Sequence, residues 1–451
     1  MDLKKLLSRL MGGGGLLALL TLATSGLFKI AAFAREAFIA SHFGLSSFTD
    51  AYFAFQQFPL MVMTFMFGAF GLAFAPAYAT EKRAEGTVKW LPGLVLYGSA
   101  LGILLTLVTA VLSPSLLHIF TSAPSDHGAA TLVVLSCTFA PVVWLGIWAG
   151  VTIANGRNLA AMFVAGLPYL LMTILLLALY AMGLLTAISL PESFLTGFGV
   201  IGIYALSLIL ARECGKTSLQ EVFGAWRMPG FRHFLRQLSA SSIENVGFSA
   251  NQLLLIFFLA KAGTGAVSAN ACAMRVGMLG FSLLGQPLAQ VVQAKLCASP
   301  ESAHLEVFRK WMLAVSGAVI ALAAILYFGR EPLVSLIYLR GKFSAVDLSR
   351  VIEIMPAWIA YFVVVSLNAI VARYLFSAAC GSVYMRRQLC AYLSANVARF
   401  VLLGRLSAPL VIWCSVAAEG CALLINLRSC FRTSHTYLLE PEPQMVGAQE
   451  L

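Results

Sequence analysis

The 451-residue sequence is poor in charge: only 11% of its residues are Asp, Glu, Lys or Arg, where soluble domains carry about 25%. No polar stretch is long enough to make a separate soluble domain. The nine cysteines form no CxxC pair and none has a metal-ligating histidine nearby, so neither a disulfide framework nor a metal site is expected. The six histidines are scattered, and no nucleophile–base pair accompanies them. We therefore expect no enzyme activity and no cofactor. A phosphate-cradling GxxxxGK[ST] loop is also missing.

What remains is hydrocarbon. Hydrophobic residues make up 60% of the chain and recur in long runs from end to end, which is the composition of a polytopic membrane protein. The net charge of +11 does not point to nucleic acid, because the basic residues punctuate apolar runs instead of lining one soluble face. A span needs about 20 mostly apolar residues. That rule predicts twelve transmembrane helices, near 15–41, 50–78, 91–113, 129–153, 159–182, 194–211, 238–262, 267–296, 311–328, 350–378, 388–403 and 408–427. The fold class is thus all-α. The basic, then apolar N-terminus has the form of a signal peptide, but in so apolar a chain it reads as a retained first helix.

Lys and Arg concentrate in alternate loops, which orients a membrane chain. One side holds Lys4, Lys5 and Arg9, then Lys82, Arg83 and Lys89, Arg157, the 212–236 loop, Lys295, Arg309 and Lys310, Arg386 and Arg387, and Arg428 and Arg432. The other holds only Arg330, Arg340, Lys342, Arg350 and Arg405. Both termini are therefore expected in the cytoplasm. The long loop ARECGKTSLQEVFGAWRMPGFRHFLR divides the chain into two six-helix lobes, 1–225 and 226–428, with 429–451 as a disordered cytoplasmic tail. The lobes echo each other weakly, each turning after its first helix at a Gly-containing loop. That is a transporter pattern, with the substrate between pseudo-symmetric halves.

Charges within the spans carry the functional reading. LFKIAAFAREAFIASHFG (27–44) holds Lys29, Arg35 and Glu36, and Asp50 follows. An unpaired charge at mid-bilayer costs about 2.5–3.5 kcal/mol on insertion scales, so these residues should face a protein interior or an aqueous cavity. Lys29 and Arg35 are separated by about 9 Å of rise and about 240° of rotation, whereas Lys29 and Glu36 share a face. They suit either a substrate cavity or a structural network between helices one and two with Asp50 as partner. Arg275 is the counterpart in the second half. Arginines converging from two halves make an anion site, because the planar guanidinium donates several hydrogen bonds at once. Glu244, Arg373, Glu36 and Asp50 are candidates for a gating or structural charge network. Lys261, Arg399 and Glu353 read as helix-end charges, and Glu419 as paired within its own half.

AFAREAFIASHFGLSSFTDAYFAF and the following GAFGLAFAPAYA resemble the opening signature of the lipid II flippases (MviN/MurJ-like), of the multidrug/oligosaccharidyl-lipid/polysaccharide (MOP) exporter superfamily. The pattern falls on Lys29, Arg35, Glu36, Phe43, Gly44, Thr49, Asp50, Ala51, Gly68, Ala69, Phe70 and Pro76. GAVSANACAMR resembles the stretch bearing the family's essential arginine, here Arg275, and RGKFSAVD (340–347) resembles its outside loop. The family's usual charges in mid-helix two are absent from PLMVMTFMFGAF, and Met274 stands where an acid is usual.

The resemblance implies the MOP exporter fold in a bacterial inner membrane. It implies a monomer that flips an undecaprenyl-pyrophosphate-linked glycan (lipid II or a related polysaccharide precursor) from inner to outer leaflet by alternating access. The pyrophosphate would sit near Lys29, Arg35 and Arg275, and Asp50 would set helix geometry or gate the outer side. The partners would be the lipid-linked oligosaccharide and membrane lipid, with no nucleic acid. Two other readings fit the composition. A multidrug/cation antiporter would use Glu36, Asp50 and Glu244 as exchanging carboxylates, and a non-transporting scaffold would use the charges as structural pairs.

Overall fold

The computed structural model describes residues 13–121, 127–155, 157–214, 219–298, 300–377 and 381–436, and among these no strand occurs. The helices are α1 (Gly13–Phe43), α2 (Ser47–Phe65), α3 (Gly71–Glu85), α4 (Leu91–Phe120), α5 (Gly128–Ser136), α6 (Phe139–Ala154), α7 (Asn158–Ala181) and α8 (Ser189–Arg212). Then come α9 (Pro229–Lys261), α10 (Ala266–Gly277), α11 (Gln286–Ala298), α12 (His304–Phe328), α13 (Arg330–Tyr338), α14 (Ala345–Ser377), α15 (Gly381–Val401) and α16 (Ala408–Thr436).

Helix is present at every expected span. Eight helices, among the described residues, are long and apolar enough to cross a membrane. The chain is therefore an all-α polytopic membrane protein. Of the other expected spans, α9 and α15 carry more charged and amide side chains, which lowers their hydropathy without breaking the helix.

The ends differ from expectation where local chemistry extends a helix. Helix two starts at Ser47, because Ser46 and Thr49 form a reciprocal capping box. It continues through α3 to Glu85 and stops at Gly86, whose φ of +72° suits a left-handed cap. Helix seven begins at Pro229, a residue whose fixed φ suits a first turn. Helix α16 runs on to Thr436, into the stretch expected as a tail. Cys430 is buried there, and Phe431 packs on Phe308 with ring centroids 6.4 Å apart. Residues 437–451 lie outside the described residues.

Two wide, π-helical turns interrupt the second helix of each half, at Met66–Phe70 between α2 and α3 and at Phe281–Gly285 before α11. Such a turn carries one more residue than an α turn. The GAF of the signature lies on the first of them. There Met66 packs over Gly146 of α6, and Gly68 leaves room for the Asn245 amide of α9.

Contacts divide the chain into two compact units, Met1–Cys272 with Leu336–Ser349, and Ala273–Ser335 with Arg350–Leu451. The sequence placed the lobe boundary at 225/226. In the structure α9 packs with the first unit, because Phe234 stacks on Trp90 at 5.6 Å and edges onto Phe70 and Phe74. Small residues bring the other helices of this unit together. Gly102 lets α4 meet the Ala140 backbone of α6, and Gly202 lets α8 meet Pro141. In the second unit α15 and α16 form an antiparallel pair through the short Leu403–Arg405 turn.

Candidate functional site

Within the first unit, α1 lies along α7. Phe28 fills the space over Gly166 and meets Phe163 edge-on at 5.6 Å. A Cβ on Gly166 would come within 2.0 Å of the Phe28 ring. Gly166→Leu should therefore push α1 off α7 and cost about 1–3 kcal/mol through overpacking. A fall in the thermal unfolding midpoint of the detergent-purified protein checks this.

Two turns further along α1, Arg35 and Glu36 are buried, at 1% and 2% exposure. Arg35 Nη2 donates to Glu36 Oε1 at 3.1 Å, and Nη1 lies 3.6 Å from the Met172 sulfur of α7. The guanidinium carbon sits 5.5 Å from the centre of the Tyr169 ring, and the Tyr169 hydroxyl lies 3.2 Å from Met63 Sδ of α2. Arg35 Nε is buried with no hydrogen-bond partner. The cation is thus neutralised by its neighbour in sequence and walled by an aromatic face and a thioether, with one N–H to spare.

The end of α1 places Asp50. Gly44, at φ +67°, closes α1 by donating its N–H to Ala40 O at 2.9 Å. The Ser46–Thr49 capping box then starts α2 with Asp50 in its first turn. The Asp50 carboxylate reaches the start of α10. It accepts from Gly265 N at 2.6 Å, Ser268 N at 2.8 Å and Ser268 Oγ at 2.6 Å. A side chain of α2 therefore supplies the acceptors that the first turn of α10 lacks. The expected outside loop RGKFSAVD docks nearby, with Lys342 N donating to Ser41 O at 2.7 Å and Tyr338 lying 6.4 Å from Phe33.

In the second unit, Arg275 is a partly exposed residue of α10 and Arg373 a partly buried residue of α14. Gly277 touches Trp358, Gly280 touches Phe362 and Gly285 touches Ser366, so the α10–α11 segment runs parallel to α14. Trp358 and Arg373 are then about 22 Å apart along α14. The structure does not bring Arg373 to the level of Arg275. The side chains of Lys29 and Glu244 lie outside the described residues.

One constellation went unread in the sequence. Arg399, taken as a helix-end charge, is fully buried on α15. It donates to Val411 O at 3.0 Å, to Asn396 Oδ1 at 2.6 Å and to Ser415 Oγ. Glu419, one turn beyond Ser415 on α16, accepts from the Tyr361 hydroxyl of α14 at 2.6 Å. The signal was available: Gln388, Tyr392, Asn396 and Arg399 fall at helical spacing and are all buried.

Beyond the spans, Lys82 Nζ bridges the Tyr78 hydroxyl at 2.7 Å and Glu213 Oε2 at 3.1 Å, while the Trp90 indole N–H donates to Glu81. Burial raises the Glu81 carboxyl above its ordinary value, against the Trp90 N–H, which holds it down. Beside Glu213, burial pushes the Cys214 thiol from 9.0 up to about 11. At neutral pH its thiolate population, and hence its rate of maleimide labelling, should be about 100-fold below that of an unhindered peptide thiol. Mass-spectrometric labelling kinetics check this.

A family model described as lipid II flippase MurJ matches residues 39–383. That stretch takes in the α2 signature with Asp50, the α10 arginine and the RGKFSAVD loop. The chain belongs to the lipid II flippase MurJ family. A curated relative from Buchnera aphidicola subsp. Acyrthosiphon pisum (strain APS), described as a probable lipid II flippase MurJ, is 24% identical over 362 residues, covering 75% of this chain and 69% of the relative. Among solved structures, a lipid II flippase MurJ in an inward closed conformation superposes with a TM-score of 0.79 at 18% identity, covering 93% of this chain and 91% of that one. An inward-facing MATE multidrug transporter of the MOP superfamily gives 0.72 at 15% identity, covering 94% and 100%. An outward-facing one gives 0.62 at 15%, covering 93% and 97%. This MurJ-family chain therefore has the MOP transporter fold.

Proposed function

We propose that this MurJ-family chain flips an undecaprenyl-pyrophosphate-linked glycan, lipid II or a related polysaccharide precursor, from the inner to the outer leaflet of the bacterial inner membrane. Membership of the family across residues 39–383 carries this reading. Alternating access fits a fold whose solved neighbours are described as inward-facing in one case and outward-facing in another. The Lys and Arg distribution supports cytoplasmic termini. The chain would act as a monomer, with membrane lipid and the lipid-linked glycan as its partners.

Lys29, Arg35 and Arg275 are the residues we assign to the pyrophosphate. Arg35 suits the role in a particular way. Its one strong partner is the adjacent Glu36, and its Nε is left with nothing to bind. A pyrophosphate oxygen would complete the fork and displace the soft Met172 contact. Glu36 would hold the guanidinium between visits of the substrate. Asp50 and Arg373 act in gating or in structure.

Complementation tests the reading. The gene should rescue a strain depleted of its lipid II flippase. Rescue only of a polysaccharide-export mutant would move the substrate to another lipid-linked glycan, and rescue of neither would overturn the flippase reading.

A further inference from the structure

The second unit holds a buried acid and a buried base that are neighbours without being an ion pair. Glu419 is 4% exposed and Arg399 fully buried. Arg399 donates to three neutral oxygens, the Val411 carbonyl, the Asn396 amide and the Ser415 hydroxyl. Ser415 and Glu419 are one turn apart on α16, so the guanidinium stands one turn from the carboxyl. The partner that Glu419 takes is the hydroxyl of Tyr361, at 2.6 Å.

This arrangement is hard to reconcile with an ionised Glu419. A carboxylate buried among α14, α15 and α16 carries a desolvation cost of several kcal/mol, which a guanidinium one turn away would offset by direct contact. A neutral carboxyl needs only ordinary hydrogen bonds: Oε1 accepts from Tyr361, and Oε2 can hold the proton. The groups that act on Glu419 are Tyr361 and Arg399; Tyr392 on α15 lies near Tyr361 and Cys414 on α16 near Arg399, both ordinarily neutral. Helix α12 meets α16 near Phe431, three turns away, where Phe308 and Arg309 pack.

We propose that Glu419 is a proton-binding site that couples the second unit to the proton gradient. With the proton bound, Arg399 rests on Asn396, Ser415 and Val411. When the proton leaves Oε2 for water, the carboxylate draws the guanidinium off these oxygens, and the α15–α16 pair shifts between two arrangements. The role in transport rests on the flippase reading, whereas the protonation itself does not.

The test uses the full chain in proteoliposomes and has two readouts. Infrared difference spectroscopy across a pH titration should show a protonated-carboxyl band that disappears at alkaline pH and is absent from Glu419→Gln. Tyr361→Phe, which keeps the ring, should retain the band and shift its titration midpoint. Transport of an undecaprenyl-pyrophosphate glycan should follow a one-proton pH profile, approaching tenfold per pH unit on its steep limb, and the Glu419→Gln profile should be flat. Should Glu419→Gln fail to accumulate, the Tyr361→Phe midpoint decides. A wild-type spectrum lacking this band, an unmoved Tyr361→Phe midpoint or a wild-type pH profile in Glu419→Gln would each overturn the proposal. A titrating band in a protein that moves no lipid-linked glycan at any pH would leave the proton site standing and remove the flippase reading instead.

Discussion

Arg35→Ala is expected to abolish rescue of a flippase-depleted strain. Two effects combine in that variant. The first is structural: Glu36, at 2% exposure, loses its ion pair of 3.1 Å with Arg35, and breaking a buried pair from one side costs about 3–5 kcal/mol. The second is functional, the loss of a fork that can bind pyrophosphate. A second substitution separates them. Arg35→Ala with Glu36→Gln removes both charges of the pair, so accumulation and thermal midpoint should recover while transport stays absent. Arg35→Lys should accumulate and transport poorly, because a point charge cannot reproduce the planar donors. Arg275→Ala should likewise accumulate without transporting. Immunoblot levels and complementation are the measurements. Recovery of transport in the Arg35→Ala/Glu36→Gln double variant would show that Arg35 only balances Glu36 and would remove it from the substrate site.

The second large effect is expected at Asp50. Its carboxylate takes three hydrogen bonds from the start of α10, two from backbone N–H groups and one from the Ser268 hydroxyl. Hydrogen bonds to a charged acceptor contribute about 1.5–3 kcal/mol each when both partners are buried. They share one acceptor group and are not additive, so Asp50→Ala should cost about 3–5 kcal/mol. Asp50→Asn keeps one acceptor oxygen and should fall between Asp50→Ala and wild type. Ser268→Ala removes one of the three bonds to Asp50, together with a weak contact to Gly265 O at 3.4 Å, and should cost about 1–2 kcal/mol. Thermal unfolding in detergent ranks the three. If Asp50→Ala were as stable as wild type, the clasp would hold nothing together.

The helices were legible in the sequence because apolar runs of membrane length have few other uses. Their ends were less so. Runs of hydropathy cannot see that Ser46 caps at 47, that Gly86 stops at 85, or that Cys430 and Phe431 keep α16 packed past its last apolar stretch. The site was legible in part. Arg35, Glu36 and Asp50 were singled out as charges within spans, and the structure buries all three. Their partners were not readable. The sequence suggested Asp50 as partner for a helix-one cation, yet the carboxylate serves a turn 215 residues away at Gly265. Arg399 shows the opposite failure. Its place near the end of the expected span 388–403 reads as a helix-end charge, while the side chain turns inward, because Asn396 and Ser415 offer it oxygens.

Each π turn lies inside the second helix of its half, at Met66–Phe70 and at Phe281–Gly285. Such a turn carries one residue more than an α turn, so every side chain beyond it is turned by about 100° from the face that an unbroken helix would give it. The face that Ser47–Phe65 presents therefore does not continue onto Gly71–Glu85, nor that of Ala266–Gly277 onto Gln286–Ala298.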